Sequence, residues 1–110
     1  MFARSVSMRL KANTVAQFNS TFENEVLPLL RKQPGFRDEL VLISENGTEG
    51  IGISLWDQKD NANAYNRETY PEVQRILSKV IEGTPQVQTY EVSSSTFHKI
   101  AARAGASASD

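Results

Sequence analysis

The sequence predicts an α+β domain in the order βαββαβ, a four-stranded antiparallel sheet with both helices on one face. Three observations carry this. Residues 2–10 and 50–56 alternate in side-chain character, the period of a strand. Residues 15–30 and 73–81 repeat apolar side chains at three- and four-residue steps, the period of an amphipathic helix. Pro34-Gly35 and Asn46-Gly47, both turn formers, punctuate the chain between such segments. That order is the ferredoxin-like arrangement. At 110 residues a single domain is expected. We place it at 1–101, with 102–110, ARAGASASD, a flexible C-terminal tail.

The first strand is FARSVSMRL, residues 2–10. Phe2, Val6, Met8 and Leu10 share one face, and Arg4 interrupts it. Thr14 and Gln17 fit a capping box at the start of the first helix. Val15, Phe18, Phe22, Val26, Leu29 and Leu30 then form its apolar face. Pro28 should kink or end the regular helix near residue 27, because it removes a hydrogen bond and clashes with the preceding turn. The second strand, FRDELVLIS, spans 36–44, and the third, GIGISLW, spans 50–56; the turn between them makes a hairpin.

Asp57 is the expected cap of the next helix, roughly 58–68, with Asp60 favourable in its first turn. That helix offers only Ala62, Ala64 and Tyr65 to a core. Tyr70, before Pro71, is biased away from helix, and Pro71 suits the first position of a new one. Val73, Ile76, Leu77, Val80 and Ile81 give the new helix a strong apolar face, and Gly83 and Pro85 should end it. A fourth strand, QVQTYEV at 86–92 and running on toward Phe97, completes the order.

Leu40 to Ile43 are apolar on both faces of their strand, yet one helical layer covers only one. A free sheet face normally turns polar. A second copy of the chain is the expected cover, so the protein should be a homodimer.

Composition excludes several classes. No cysteine is present, so disulfides, thiolate zinc sites and cysteine nucleophiles are ruled out. The formal net charge is −1 with no basic stripe, so nucleic acid is not an expected partner. No stretch approaches a membrane span, and the first twenty residues contain no continuous apolar run of the signal-peptide kind. A cytoplasmic protein that binds neither membrane nor nucleic acid is the expectation. No spacing of His, Asp and Glu suggests a metal site.

A strand ending in Leu55-Trp56-Asp57, a short polar helix, then Tyr70-Pro71-Glu72-Val73 and a second helix resembles the antibiotic biosynthesis monooxygenase (ABM) domains of the dimeric α+β barrel superfamily. The Pro34-Gly35-Phe36 turn fits as well, and the resemblance covers residues 2–97. It implies a homodimer whose two sheets face each other as a barrel. It also implies a pocket in each protomer between sheet and helices. For activity it implies a cofactor-independent monooxygenase of aromatic or quinol-type substrates, although haem-degrading enzymes also occur in the family. The strand-end tryptophan of active members matches Trp56. Some monooxygenases carry an asparagine four residues earlier, where this chain has Gly52. Haem-degrading members use an asparagine on the first strand and a histidine on the second helix, and neither is present here.

The candidate ligand pocket comprises Gly52, Ser54, Trp56, Tyr65 and Tyr70. Gly52 and Ser54 alternate with Trp56 on one strand face and leave room beside it. Trp56 reads either as a wall of that pocket for a small aromatic ligand or as a structural plug. Tyr65, Tyr70 and Tyr90 can each donate to a quinone or phenol oxygen, or simply pack with a wet hydroxyl. Arg4 either pairs with an acid such as Glu91 or lines a polar pocket, and an ion pair is the expectation. His98, the one histidine, has the right ordinary pKa for a general base but sits near the terminus. The glycines at 47, 50 and 52 serve the hairpin rather than a phosphate loop, and Ser93 to Thr96 lack a nearby base. No catalytic residue is assigned. Two classes stay open: an oxygenase needing neither metal nor flavin, and a non-catalytic ligand-binding or oligomerisation module.

Overall fold

The computed structural model describes residues 1–97; His98 and the tail expected at 102–110 lie outside the described residues. Strand β1 spans Phe2–Leu10, helix α1 Val15–Thr21, a π-helical turn Phe22–Val26 and helix α2 Leu27–Arg31. Then come β2 (Phe36–Ile43), β3 (Glu49–Trp56), α3 (Lys59–Glu68), α4 (Tyr70–Leu77) and β4 (Ile81–Glu91). The four strands form one antiparallel sheet in the order β2-β3-β1-β4, the expected ferredoxin-like architecture.

All helices lie on one face. There Met8 and Leu10 of β1 and Trp56 of β3 pack with Phe18, Phe22, Val26 and Leu30 from the first helical run and Ala62, Tyr65, Tyr70, Val73 and Leu77 from the second. The opposite face is apolar and open: Leu40, Leu42 and Ile51 are 48%, 46% and 37% exposed. Leu42 pairs with Ile51 and Leu40 with Ile53 across β2 and β3, so the apolar side chains are contiguous.

Several local expectations differ: Tyr70 begins α4 although it precedes Pro71, and β4 ends at Glu91 rather than running toward Phe97. Thr14 precedes α1 but makes no capping-box bond; its hydroxyl donates instead to the Lys11 carbonyl at 2.6 Å. Pro28 does not end the helical run. The disturbance falls before it, in the π-turn, where the Leu27 N–H donates to the Phe22 carbonyl five residues back. Pro28 then occupies the first turn of α2, directly after the π-turn. Asp57 does not cap α3. Gln58 holds that position, and the Asp57 carboxylate accepts from the Asn61 amide at 2.8 Å.

Helix α4 stops at Leu77, short of expectation. Val80 and Ile81 are buried all the same, because a turn closed by Val80 N–H to the Leu77 carbonyl at 3.0 Å directs them inward. Strand β4 accordingly starts at Ile81 and includes Gly83 and Pro85. As an edge strand with a register shift opposite Ser7 to Arg9, it tolerates both.

The Pro34-Gly35 turn positions α3. Gly35 has φ +79°, and a Cβ there would collide with the Asp57 carboxylate and Asn61. Its carbonyl accepts from the Asp57 N–H at 2.9 Å. The start of β2 and the start of α3 are thereby held in contact.

Candidate functional site

A cleft runs between the inner sheet face and the helices. Its walls are mostly apolar, from Met8, Phe22, Val26, Leu30, Val73 and Leu77. Into it project Arg4, Glu39, Ser54, Tyr65, Tyr70 and Gln74. The empty space is about 460 Å³ including the mouth, of which about 30 Å³ is wide enough for the centre of a water molecule. The cleft is narrow in this conformation.

Arg4 organises the polar groups. Strand alternation puts it on the inner face between Phe2 and Val6, and it is only 2% exposed. Its Nη2 donates to the Asn66 Oδ1 at 2.7 Å. Its guanidinium carbon lies 4.1 Å from the centre of the Tyr70 ring and 5.1 Å from that of Tyr65, in cation–π contact with both. Among the described residues no carboxylate comes within ion-pair distance of it. Glu91, the partner expected from sequence, stands opposite Phe2 on the edge strand and is exposed, while the guanidinium turns inward over the tyrosines. The expected ion pair is therefore replaced by a pocket-lining role.

Two buried side-chain atoms of the described residues have no hydrogen-bond partner: the Arg4 Nε and the Tyr70 hydroxyl. The guanidinium sits over the Tyr70 ring, close to the hydroxyl but without hydrogen-bond geometry to it. Buried polar groups are nearly always satisfied, so two orphans in one cleft call for an explanation.

Glu39 is the acid that faces Arg4. It comes from β2, and Gly52 on β3 makes room for it: a Cβ at position 52 would lie 3.0 Å from the Glu39 Oε2. The space beside Gly52 thus holds a carboxyl from the neighbouring strand. Burial pushes the Glu39 pKa up to about 8, with Arg4 working against it. Burial thus favours the protonated form. Burial also lowers the pKa of Arg4 and raises those of Tyr65 and Tyr70, Arg4 opposing the last two.

Trp56 stands behind this cleft rather than in its wall. It is fully buried, edge-on to Phe36 at 5.6 Å and tilted against Tyr65 at 5.2 Å between ring centres. Its Nε1–H donates to the Ser54 Oγ at 2.8 Å. It fixes two residues that line the cleft without lining it itself. Of the residues proposed from sequence, Gly52, Ser54, Tyr65 and Tyr70 meet in the cleft and Trp56 backs them. Tyr90 lies on the exposed edge strand. Glu39 and Gln74 were missed. The signal for Glu39 is parity with Val41 and Ile43, but a register shift between Phe36 and Asp38 hides it from a reading that starts at Phe36.

The molecule has many structural relatives. A proposed antibiotic biosynthesis monooxygenase from Bordetella bronchiseptica superposes with a TM-score of 0.69 at 16% identity, over 81% of this chain and 93% of that one. The fold is that of the antibiotic biosynthesis monooxygenases. The cofactor-independent oxygenase SnoaB from Streptomyces nogalater shares this ABM fold, with a TM-score of 0.68 at 15% identity over 81% and 89% of the two chains. So does the monooxygenase from ActVA-Orf6 of Streptomyces coelicolor, solved with the ligand nanaomycin D, with a TM-score of 0.65 at 21% identity over 81% and 84%. No family model matches the chain, and no curated protein matches it. Beyond the ABM fold, the described residues contain no cluster of His, Asp and Glu able to hold a metal, and no helix long and apolar enough to cross a membrane.

Proposed function

We propose that the protein binds a small phenolic or quinol-type aromatic molecule in this cleft and oxidises it with molecular oxygen, using neither metal nor flavin. The observation that carries this reading is the convergence of two unpartnered buried donors, Arg4 Nε and the Tyr70 hydroxyl, with the Glu39 carboxyl in an otherwise apolar cleft. A phenol oxygen placed there satisfies the orphans. Beside a cation in a dry site the ring is favoured as phenolate, its electron-rich form. A hydroxyarene with a free ring C–H plus O₂ then gives the quinone plus water, which accounts for every atom. The apolar walls exclude water from the reactive ring. The fold likeness to SnoaB and to the ActVA-Orf6 monooxygenase supports the same reading.

The working unit in this proposal is a homodimer joined through the outer sheet face, whose contiguous leucines and isoleucines support it. A second reading, a non-catalytic ligand-binding or oligomerisation module, is favoured by the narrowness of the cleft and by Gly52 in place of an asparagine.

Titration with a panel of hydroxyarenes and quinols, followed by Trp56 emission, separates these readings, because Trp56 packs on the cleft residue Tyr65. Oxygen uptake on any ligand that binds supports the oxygenase. Binding without uptake supports the binding module, and no binding leaves oligomerisation.

A further inference from the structure

We infer that the cleft takes its ligand as an anion: an oxygen carried by an aromatic ring, phenolate or carboxylate, is the counter-ion that Arg4 lacks, and it accepts hydrogen bonds from Arg4 Nε and the Tyr70 hydroxyl. The inference rests on the cleft being a ligand site, as proposed above, and adds the charge of what enters.

The first argument is electrostatic. A guanidinium withdrawn from water requires compensation, and buried charges in proteins are normally paired. Arg4 is withdrawn almost completely, yet its one hydrogen-bond partner is a neutral amide oxygen, on Asn66. The faces of Tyr65 and Tyr70 compensate part of the charge and leave Nε open.

The second argument concerns donors and acceptors. Arg4 Nε can only donate, and the Tyr70 hydroxyl beside the cation is oriented by it to donate. Two donors at one wall fit an acceptor atom rather than another donor.

The third concerns what else faces Arg4. The ionisable groups around it are Glu39 from β2, Tyr65 from α3 and Tyr70 from α4. Glu23, on the π-turn, shares an outer groove with Glu39. Neither tyrosine ionises near neutral pH, since burial raises both. Burial favours the protonated form of Glu39, held over Gly52, as well. With Glu39 protonated the cleft carries the net positive charge of Arg4. It loses that charge when Glu39 ionises, and an incoming anion then meets a carboxylate.

The test uses the full chain with naphthoate and its neutral isostere naphthamide, followed by calorimetry from pH 6 to pH 9.5. The expected result is naphthoate bound at least about tenfold tighter than naphthamide near pH 7, as one charge-assisted contact provides. Wild-type affinity for naphthoate should fall by up to about tenfold per pH unit above about pH 8, and Glu39→Gln should hold it level. Tyr70→Phe should weaken naphthoate several-fold, and Arg4→Met should abolish its advantage over naphthamide. A naphthol arm separates the two sources of anion, because its absorption band reports whether the bound form is phenolate. Equal affinity for acid and amide overturns the inference and leaves the ligand site standing. A Glu39→Gln profile that falls like that of wild type also overturns it. Failure of every probe to bind removes the ligand site and the inference with it.

Discussion

Replacing Glu39 by glutamine will remove a pH dependence of stability that the wild-type protein shows between about pH 5 and pH 8. The carboxyl moves from an ordinary 4.5 to about 8 on folding, chiefly because burial penalises its charge. Between those values the unfolded chain has released the proton while the native protein keeps it. The native state binds more protons, so stability falls as pH rises through the window and levels off above it. At about 1.4 kcal/mol per pH unit the ceiling is about 5 kcal/mol. Glu39 is only half-buried, and solvent screening cuts this to about 2 kcal/mol. With a urea dependence of about 2 kcal/mol per molar, the midpoint should drop by about 1 M across the window. Glutamine keeps the shape that lies over Gly52 and cannot ionise, so its profile should stay flat. The assay is urea unfolding followed by circular dichroism at half-unit pH steps. Parallel profiles for the two proteins would refute the reasoning and place the Glu39 carboxyl in water.

Trp56→Ala should cost about 3–5 kcal/mol in chemical denaturation, as loss of a fully buried aromatic does. Trp56→Phe should cost far less, about 1 kcal/mol of it from the lost bond to Ser54; a negligible loss for the alanine variant would contradict the plug. Leu42→Glu should convert a dimer into a monomer in light scattering, and a wild-type protein already monomeric at micromolar concentration would remove the proposed assembly. Arg4→Met should leave stability unchanged or raise it by about 1 kcal/mol, since an uncompensated buried charge is exchanged for an apolar side chain that fits between tyrosines. A loss beyond about 3 kcal/mol would make Arg4 a structural residue.

The sheet was legible because strand parity is a strong signal wherever one face is buried. The alternation of Gly52, Ser54 and Trp56 with Ile51, Ile53 and Leu55 places each correctly. Helix existence was legible for the same reason, and helix ends were not. Val80 and Ile81 continue the spacing of Val73 and Leu77, but a turn and a strand can bury the same residues, and apolar period alone does not separate the cases. Asp57 and Thr14 are good caps by type, and each found a different partner once tertiary contacts were available.

The candidate site shows the same limit at higher stakes. Gly52, Ser54, Tyr65 and Tyr70 follow from parity and helix spacing, whereas the meaning of Gly52 depends on its neighbour across the sheet. A glycine in mid-strand reads as empty space until the register supplies Glu39, which reaches over it toward Arg4.

That arrangement also argues against a purely structural account of the cleft. A core built for stability alone would fill the position of Arg4 with an aliphatic side chain, since desolvating an unpaired guanidinium is unfavourable by several kcal/mol. Instead the chain sets a cation into its inner strand face, packs two tyrosine rings against it, and clears a glycine beneath the one facing carboxyl. The tyrosine faces compensate the cation only in part, and two buried polar atoms at the same cleft are left without a partner. Groups that reduce stability and converge on one cleft make sense when a ligand completes them. The helix bearing Tyr65 and Asn66 buries only two side chains, Ala62 and Tyr65, and is separated from α4 at Thr69, so it is the element best able to yield as a ligand enters.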